Sequence, residues 1–389
     1  MVTLYDVARH AGVSIATVSR VLHEQDSVRE DTRARVRSAI DELGYVPDGA
    51  AQSLARSRKN VIGLAAVEHT GMKADQYDIE AMSLLFYDEV MRGVELRIRE
   101  QAWSLLITFF RDEDTMSATV QENEPVHSRL LALSGKVDGL LIGEGILAPP
   151  VLVKLAKRLP LVVVAGDTEQ RGVDVVSADN WSGAHALVEH LVADHGRRRL
   201  FHIDGPPTAP DAKERRLAMH AVIEAHPGTE LVGSFSGLFS VQSGREGTTA
   251  MLKAGGELPD AIVCANDQMA IGALRALAAR GIRVPDDIAV VGFDDIFPAS
   301  LCEPPLTTVH QPIRKLGEVA CDRLTERIAN PGLRPKQELL PTELVLRSSC
   351  GCPPGTVERR PLRHLARRKP AAARKAQFPV APEPLSAER

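Results

Sequence analysis

The run Thr3-Leu4-Tyr5-Asp6-Val7-Ala8-Arg9-His10-Ala11-Gly12-Val13-Ser14-Ile15-Ala16-Thr17-Val18-Ser19-Arg20-Val21-Leu22 decides how this chain is read. Leu4, Val7, Ala8 and Ala11 recur at i, i+3, i+4 and i+7, which lays one apolar face along a helix. Gly12 then permits a turn, and Ser14 stands where a hydroxyl can cap a second helix. In that second helix Val18, Val21 and Leu22 turn inward and leave Ile15, Ala16, Thr17, Ser19 and Arg20 facing elsewhere. A third helix is predicted from about Glu30 to Leu43, opening on acids that suit a helix N-terminus and closing at Gly44. Two helices joined by a tight glycine turn make a helix-turn-helix, whose second helix can enter the major groove of DNA. Arg20 on its open face can present two parallel donors to guanine O6 and N7, worth about 1–3 kcal/mol of discrimination. Ile15 and Ala16 offer only apolar contact, for instance with a thymine methyl.

Working outward, Pro47-Asp48 opens a small Ala-rich segment, 49–56, followed by the basic Arg56-Ser57-Arg58-Lys59. From Val61 the texture changes. Short apolar runs at 61–67, 104–108, 137–142, 161–165, 200–203, 261–264 and 288–292 alternate with amphipathic stretches of helix length. Such alternation predicts parallel sheets with helices on both faces, and the span 61–349 is long enough for two such lobes. From residue 350 the chain turns Pro-, Ala- and Arg-rich, with nine Lys or Arg against three Glu, and a disordered basic tail over 350–389 is expected.

The bulk numbers fit this plan. At 389 residues two or three domains are expected, and 44% apolar with 25% charged residues is ordinary for a globular protein. No apolar run is long enough to span a membrane, and the first residues lack the basic-then-apolar pattern of a signal peptide, so a cytoplasmic location is expected. A net charge of −4 does not advertise nucleic-acid binding, so any DNA contact must come from local geometry. The five cysteines read as ordinary reduced thiols, the Cys350-Gly351-Cys352 pair included. His185, His190 and His195 lack the i, i+4 spacing of helical metal ligands, so neither a metal nor a cofactor is expected. No nucleotide-binding, zinc-protease or nucleophile-elbow signature falls in a suitable context, which favours binding over catalysis.

Thr3-Leu4-Tyr5-Asp6-Val7-Ala8, Ala11-Gly12-Val13-Ser14, Thr17-Val18-Ser19-Arg20-Val21-Leu22 and Gly44-Tyr45-Val46-Pro47 strongly resemble the lactose repressor/galactose repressor (LacI/GalR) family, and the resemblance extends through residues 1–349. It implies a lambda-repressor-like all-α domain over 1–46, a hinge helix and linker over 47–60, and a periplasmic-binding-protein-like sensor over 61–349. That sensor is a pair of doubly wound parallel-sheet α/β lobes. It further implies DNA contacts from Leu4, Tyr5, Ser14, Ile15, Ala16, Thr17, Ser19, Arg20 and Tyr45. In the hinge, Ala51 and Leu54 would meet the minor groove, Leu54 as a wedge that kinks the central base step. The implied protein is a homodimeric repressor on a near-palindromic operator, controlled by a small polar effector such as a sugar.

Several polar residues follow apolar strands, where ligands of open α/β sheets enter. Asn266 and Asp267 follow 261–264, and Asp294 and Asp295 follow 288–292. Asp267 reads as a helix cap, whereas the resemblance implies effector contact for Asn266 and Asp294. It implies the same for Phe86, Tyr87, Arg216, Phe239 and Gln311, with neighbouring Arg215 left to solvent. The sequence departs from the family pattern in the long segment 68–85, in Met219, and in His195-Gly196. Two other readings share parts of the pattern. A transporter's solute-binding protein would need a signal peptide and would not carry residues 1–59. A regulator whose cleft answers to a protein partner is suggested by the long 68–85 segment.

Overall fold

The computed structural model describes residues 2–22, 28–45, 58–68, 85–101, 103–111, 124–143, 145–167 and 169–366. In the N-terminal unit, helices α1 (Leu4–Ala11), α2 (Ile15–Leu22) and α3 (Glu30–Leu43) fall where the amphipathic period puts them. Thr3 caps α1 in a reciprocal box: its hydroxyl accepts from the Asp6 amide, and the Asp6 carboxylate accepts from the Thr3 amide at 2.9 Å. Gly12 takes φ +67 at the turn, a conformation that side chains rarely adopt. The Thr17 amide donates to Ser14 Oγ at 3.2 Å, which starts α2. Val7, Ala8, Ala11, Val18, Val21, Val36 and Ala39 close a small core.

The larger unit is built on three sheets. The first has the order β11 (Gln337–Leu340), β5 (Asp174–Ala178), β4 (Leu161–Val164), β3 (Gly139–Gly143), β1 (Val61–Glu68) and β2 (Ser104–Arg111). The second runs β7 (Glu230–Ser236), β6 (Arg199–Asp204), β8 (Ala261–Cys264) and β9 (Ala289–Val291), all parallel. Strands β3, β4, β5, β8 and β9 are fully buried, largely apolar runs, as a sheet covered on both faces requires. The third sheet is small and antiparallel: β10 (Thr308–His310), β12 (Glu343–Leu346) and β13 (Glu358–Pro361). Helices α4 (Leu85–Arg99), α5 (Glu124–Ser134), α6 (Pro149–Ala156), α7 (Asn180–Glu189), α8 (Pro210–Ala225), α9 (Val241–Ala254), α10 (Asp267–Ala278) and α11 (Ile313–Ala329) connect them.

Helix α11, late in the chain, packs on the first sheet against α4. The two helices touch at backbone level: a Cβ on Gly93 would lie 2.0 Å from the Arg314 carbonyl oxygen, and one on Gly317 would lie 2.1 Å from that of Val90. Among the described residues, no helix is long and apolar enough to cross a membrane. Ala51 and Leu54, with the rest of 46–57, lie outside the described residues, as does most of the 68–85 segment.

The expectation of disorder over 350–389 is corrected for residues 350–366. Cys350 is fully buried, β13 pairs with β12, and the Leu365 amide donates to Ser182 Oγ at 2.9 Å. Charge composition misled because these arginines find acids: Arg359 meets Asp295 at 2.7 Å and Glu343 at 3.4 Å. Leu362 and Cys352 pack on the core cluster around Trp181 and Leu191. Residues 367–389 lie outside the described residues.

Candidate functional site

On the DNA-reading face predicted from sequence, the side chains differ in availability. Tyr5, Ser14, Ala16 and Arg20 are exposed, and Ala16 and Arg20 share one face of α2 four residues apart. Thr17 and Ser19 are half-buried, and Thr17 Oγ1 is 2.9 Å from Ser14 Oγ. Leu4, Ile15 and Tyr45 pack partly against the three-helix core, so each offers only an edge.

In the sensor, the strand ends converge on one arginine, and it is Arg215 rather than Arg216. Arg215 is 5% exposed, against the solvated position expected of it. Its Nε donates to Asn180 Oδ1 at 2.9 Å, and its Nη1 donates to the Ala265 carbonyl at 2.5 Å. Asp211 lies 3.3 Å and Asp294 lies 3.7 Å from the same guanidinium, whose carbon sits 3.9 Å above the Phe293 ring. One side chain thus joins the ends of β5, β8 and β9. Arg216 turns the other way and pairs with Asp204 at the end of β6, in a half-buried position.

Helical geometry explains the exchange. Along α8, Arg215, Ala218, Met219 and Val222 are buried at i, i+3, i+4 and i+7, with Ala212 a turn earlier, and this stripe leaves out 216. Asn180 was missed because β5 is only five residues long and carries no clear alternation.

The two acids at the end of β9 have opposite characters. Asp294, at φ +120, accepts from Gln311 Nε2 at 2.5 Å. Burial drives its carboxyl up to about 7, against the pull of Arg215. Asp295 is held by Arg347 at 2.6 Å, Arg359 at 2.7 Å and His310 at 3.2 Å. Burial alone would raise it, but these partners bring it below the usual carboxylate range.

The helix cap expected at Asp267 falls on its neighbour. Asn266 is the N-cap of α10: its Oδ1 accepts from the Met269 amide at 3.0 Å, and its Nδ2 donates to the Phe239 carbonyl at 3.1 Å. Asp267 instead turns inward, fully buried, and accepts from Thr308 Oγ1 at 2.5 Å and from the Ile296 amide at 3.0 Å. Burial and the nearby Asp294 push its carboxyl well up. Phe239 stands at φ +57, its ring against Gly205, where a Cβ would come within 2.5 Å. Tyr87 is buried with its hydroxyl against Gly143 at the end of β3, while Phe86 packs into the first-sheet core. Arg215, Asn180, Asp294 and Gln311 therefore form one constellation. Asn266 and Phe239 form a second, and Arg216 belongs to neither.

Comparison with known proteins agrees with this architecture. The model for bacterial regulatory proteins of the lacI family matches residues 3–48, and that for a periplasmic binding protein-like domain matches residues 188–350. The ribose operon repressor of Escherichia coli is 32% identical over 357 residues, covering 90% of this chain and 100% of that protein. The HTH-type transcriptional repressor PurR of Photobacterium profundum is 31% identical over 352 residues, covering 90% and 98%. Among solved structures, a lac repressor dimer bound to operator and the anti-inducer ONPF superposes with a TM-score of 0.74 at 30% identity, covering 90% of this chain and 99% of that one.

Proposed function

The chain belongs to the lacI family of bacterial regulatory proteins and is a DNA-binding transcriptional repressor; from that premise we propose that a sugar or sugar derivative, bound at the Arg215–Asn180–Asp294 constellation, sets its operator affinity. The observation that carries the proposal is the Arg215 fork, buried at the strand ends with an amide and two carboxylates around it. Vicinal hydroxyls both donate and accept, and this set offers both kinds of partner beside the Phe293 ring. A relative named as a ribose operon repressor supports the same ligand class. Gln311 orients Asp294, and Asn266 holds the backbone of Phe239 beside the same strand ends.

On DNA, the proposed protein is a homodimer on a near-palindromic site, acting in the cytoplasm. Ala16 and Arg20 read the major groove, and Ala51 and Leu54 of the hinge approach the minor groove. An effector changes operator affinity only by binding the two conformational states unequally, typically by 1–3 kcal/mol. The test is operator selection from random DNA, repeated with sugars, sugar phosphates and nucleosides identified by thermal shift. A sugar that raises the unfolding temperature and changes operator affinity is the expected result; a response to nucleosides alone would overturn the sugar assignment. Arg20→Ala is expected to weaken operator binding by about 1–3 kcal/mol in a titration and to relax selection at one guanine. Its exposed position predicts unchanged stability.

A further inference from the structure

Far from the strand ends, α7 runs into a π turn, His190–Asp194. The histidines were set aside in the sequence because metal-binding helices space ligands by four. A π turn has an i to i+5 repeat, so residues five apart come to the same side, and His190 and His195 do so here. Their Nε2 atoms are 3.1 Å apart. Opposite them, the 3-10 turn Ser348–Cys350 and Gly351, at φ +115, bring in two thiols. Cys350 Sγ lies 3.5 Å from His190 Nε2, and Cys352 Sγ lies 3.5 Å from both imidazole nitrogens. The four ligand atoms all fall within 4.8 Å of one another.

Four of those separations, 3.1 Å between the nitrogens and 3.5 Å for three nitrogen–sulfur pairs, match the edges of a tetrahedron around one ion. Zn–S bonds of about 2.3 Å and Zn–N bonds of about 2.0–2.1 Å place N and N about 3.3 Å apart, N and S about 3.5 Å, and S and S about 3.8 Å. The surroundings are built for it as well. His190 Nδ1 is 2.7 Å from Asp194 Oδ2, the carboxylate–imidazole pairing that fixes a ligand's tautomer and leaves Nε2 free. Thr307 Oγ1 lies 3.2 Å from Cys350 Sγ and 2.8 Å from the Arg347 carbonyl, so its one proton can reach either acceptor. A Cβ at position 351 would lie 3.1 Å from His195 Nδ1, so the residue between the two cysteines is small as well as left-handed.

We propose that His190, His195, Cys350 and Cys352 bind one Zn(II) as a closed tetrahedral site. Thiolate and imidazole donors select Zn(II) over Mg(II), Ca(II) and Mn(II), which prefer oxygen. Binding releases the two thiol protons to solvent, and two thiolates with two neutral imidazoles balance the ion's charge. Four protein ligands leave no open position, so the ion's role is structural. It clips the C-terminal segment that carries β13 to the end of α7. His190 and Cys350 are buried, whereas His195 and Cys352 are partly open and provide the entry path.

The test uses the full chain, expressed without a polyhistidine tag and purified without chelator. About one Zn(II) per chain by elemental analysis is expected, and chelation should lower the unfolding temperature until Zn(II) is restored. Co(II) added to the stripped protein should give the intense absorption of a tetrahedral thiolate–imidazole centre. Cys352→Ser and His195→Ala, at the two more open positions, should lose the bound Zn(II) and the temperature response to it. A wild type that purifies without Zn(II) and gives only the pale spectrum of octahedral Co(II) would overturn the assignment. Recovery of Cys350 and Cys352 as a disulfide in freshly purified protein would overturn it equally.

Discussion

Helix α7 carries a buried polar cluster at each end, and the two are satisfied in different ways. At its start, Asn180 joins Arg215 and Asp294, where opposite charges and amides complete one another. At its finish, His190 meets a second imidazole and two thiols, a set rich in lone pairs and poor in donors. A cluster with its own cation can hold its shape while keeping polar edges for a ligand. One made only of electron-pair donors is completed by a cation from outside. Buried polar groups are costly unless paired, so the kind of partner each end lacks indicates what it takes. The C-terminal segment touches both ends, through Cys352 at one and through His364 Nδ1, 2.7 Å from Asp179 Oδ2, at the other.

The largest expected effect comes from removing the cation at the first end. Arg215→Ala leaves Asp294 buried and Asn180 without its donor, and breaking a buried ion pair costs about 3–5 kcal/mol. Urea unfolding measures that loss, and thermal shift should show the sugar response gone. Arg215→Lys keeps the charge but loses the fork that reaches Asn180 and Ala265 together, so it should recover part of the stability and little of the response. Arg216→Ala removes a partly exposed pair and should cost about 1 kcal/mol or less. Equal losses at 215 and 216 would erase the distinction drawn between them.

That distinction is present in the sequence, in the spacing of one helix. The helical stripe through Ala212, Arg215, Ala218 and Val222 selects Arg215, yet the resemblance pointed one residue further on. The reader was legible almost to the residue because each helix carries its period and its caps in local sequence. Two parallel sheets were legible from the buried apolar runs of β3, β4, β8 and β9. The third sheet was not: β10 and β12 mix polar with apolar residues and β13 is Glu358-Arg359-Arg360-Pro361, exposed throughout, so no long apolar run marks it. The histidine–thiol cluster was hidden for a different reason. Its ligands lie about 160 residues apart in the chain, and the π turn that aligns the two histidines leaves no pattern in composition.

A smaller effect separates the two ends by pH. Asp294 titrates at about 7 in the folded protein and near 3.9 in an unfolded chain, so between those values the native state holds the extra proton. Its contribution to stability is full below about pH 4 and is lost as pH rises toward 7. The slope reaches at most about 1.4 kcal/mol per pH unit for one proton. Asp267 is raised too and adds in the same direction. Urea unfolding at several values between pH 4.5 and 7.5 should therefore show wild type losing stability more steeply than Asp294→Asn. Parallel curves would place the titration elsewhere.

The smallest effects belong to the segment that joins the ends. Ending the chain after Gly355 removes β13 and uncovers the apolar surface under Leu362, a partly buried side chain worth about 1 kcal/mol, or roughly 2–4 °C in a unit of this size. Arg359→Ala should do less still. Its guanidinium is 50% exposed, and Asp295 keeps Arg347 at 2.6 Å and His310 at 3.2 Å when Arg359 is gone, so no buried charge is left without a partner. Exposed ion pairs of this kind contribute about 0–1 kcal/mol. A loss several times larger would mean that Arg359 acts on the whole strap, and that the segment couples the two clusters rather than merely lying across them.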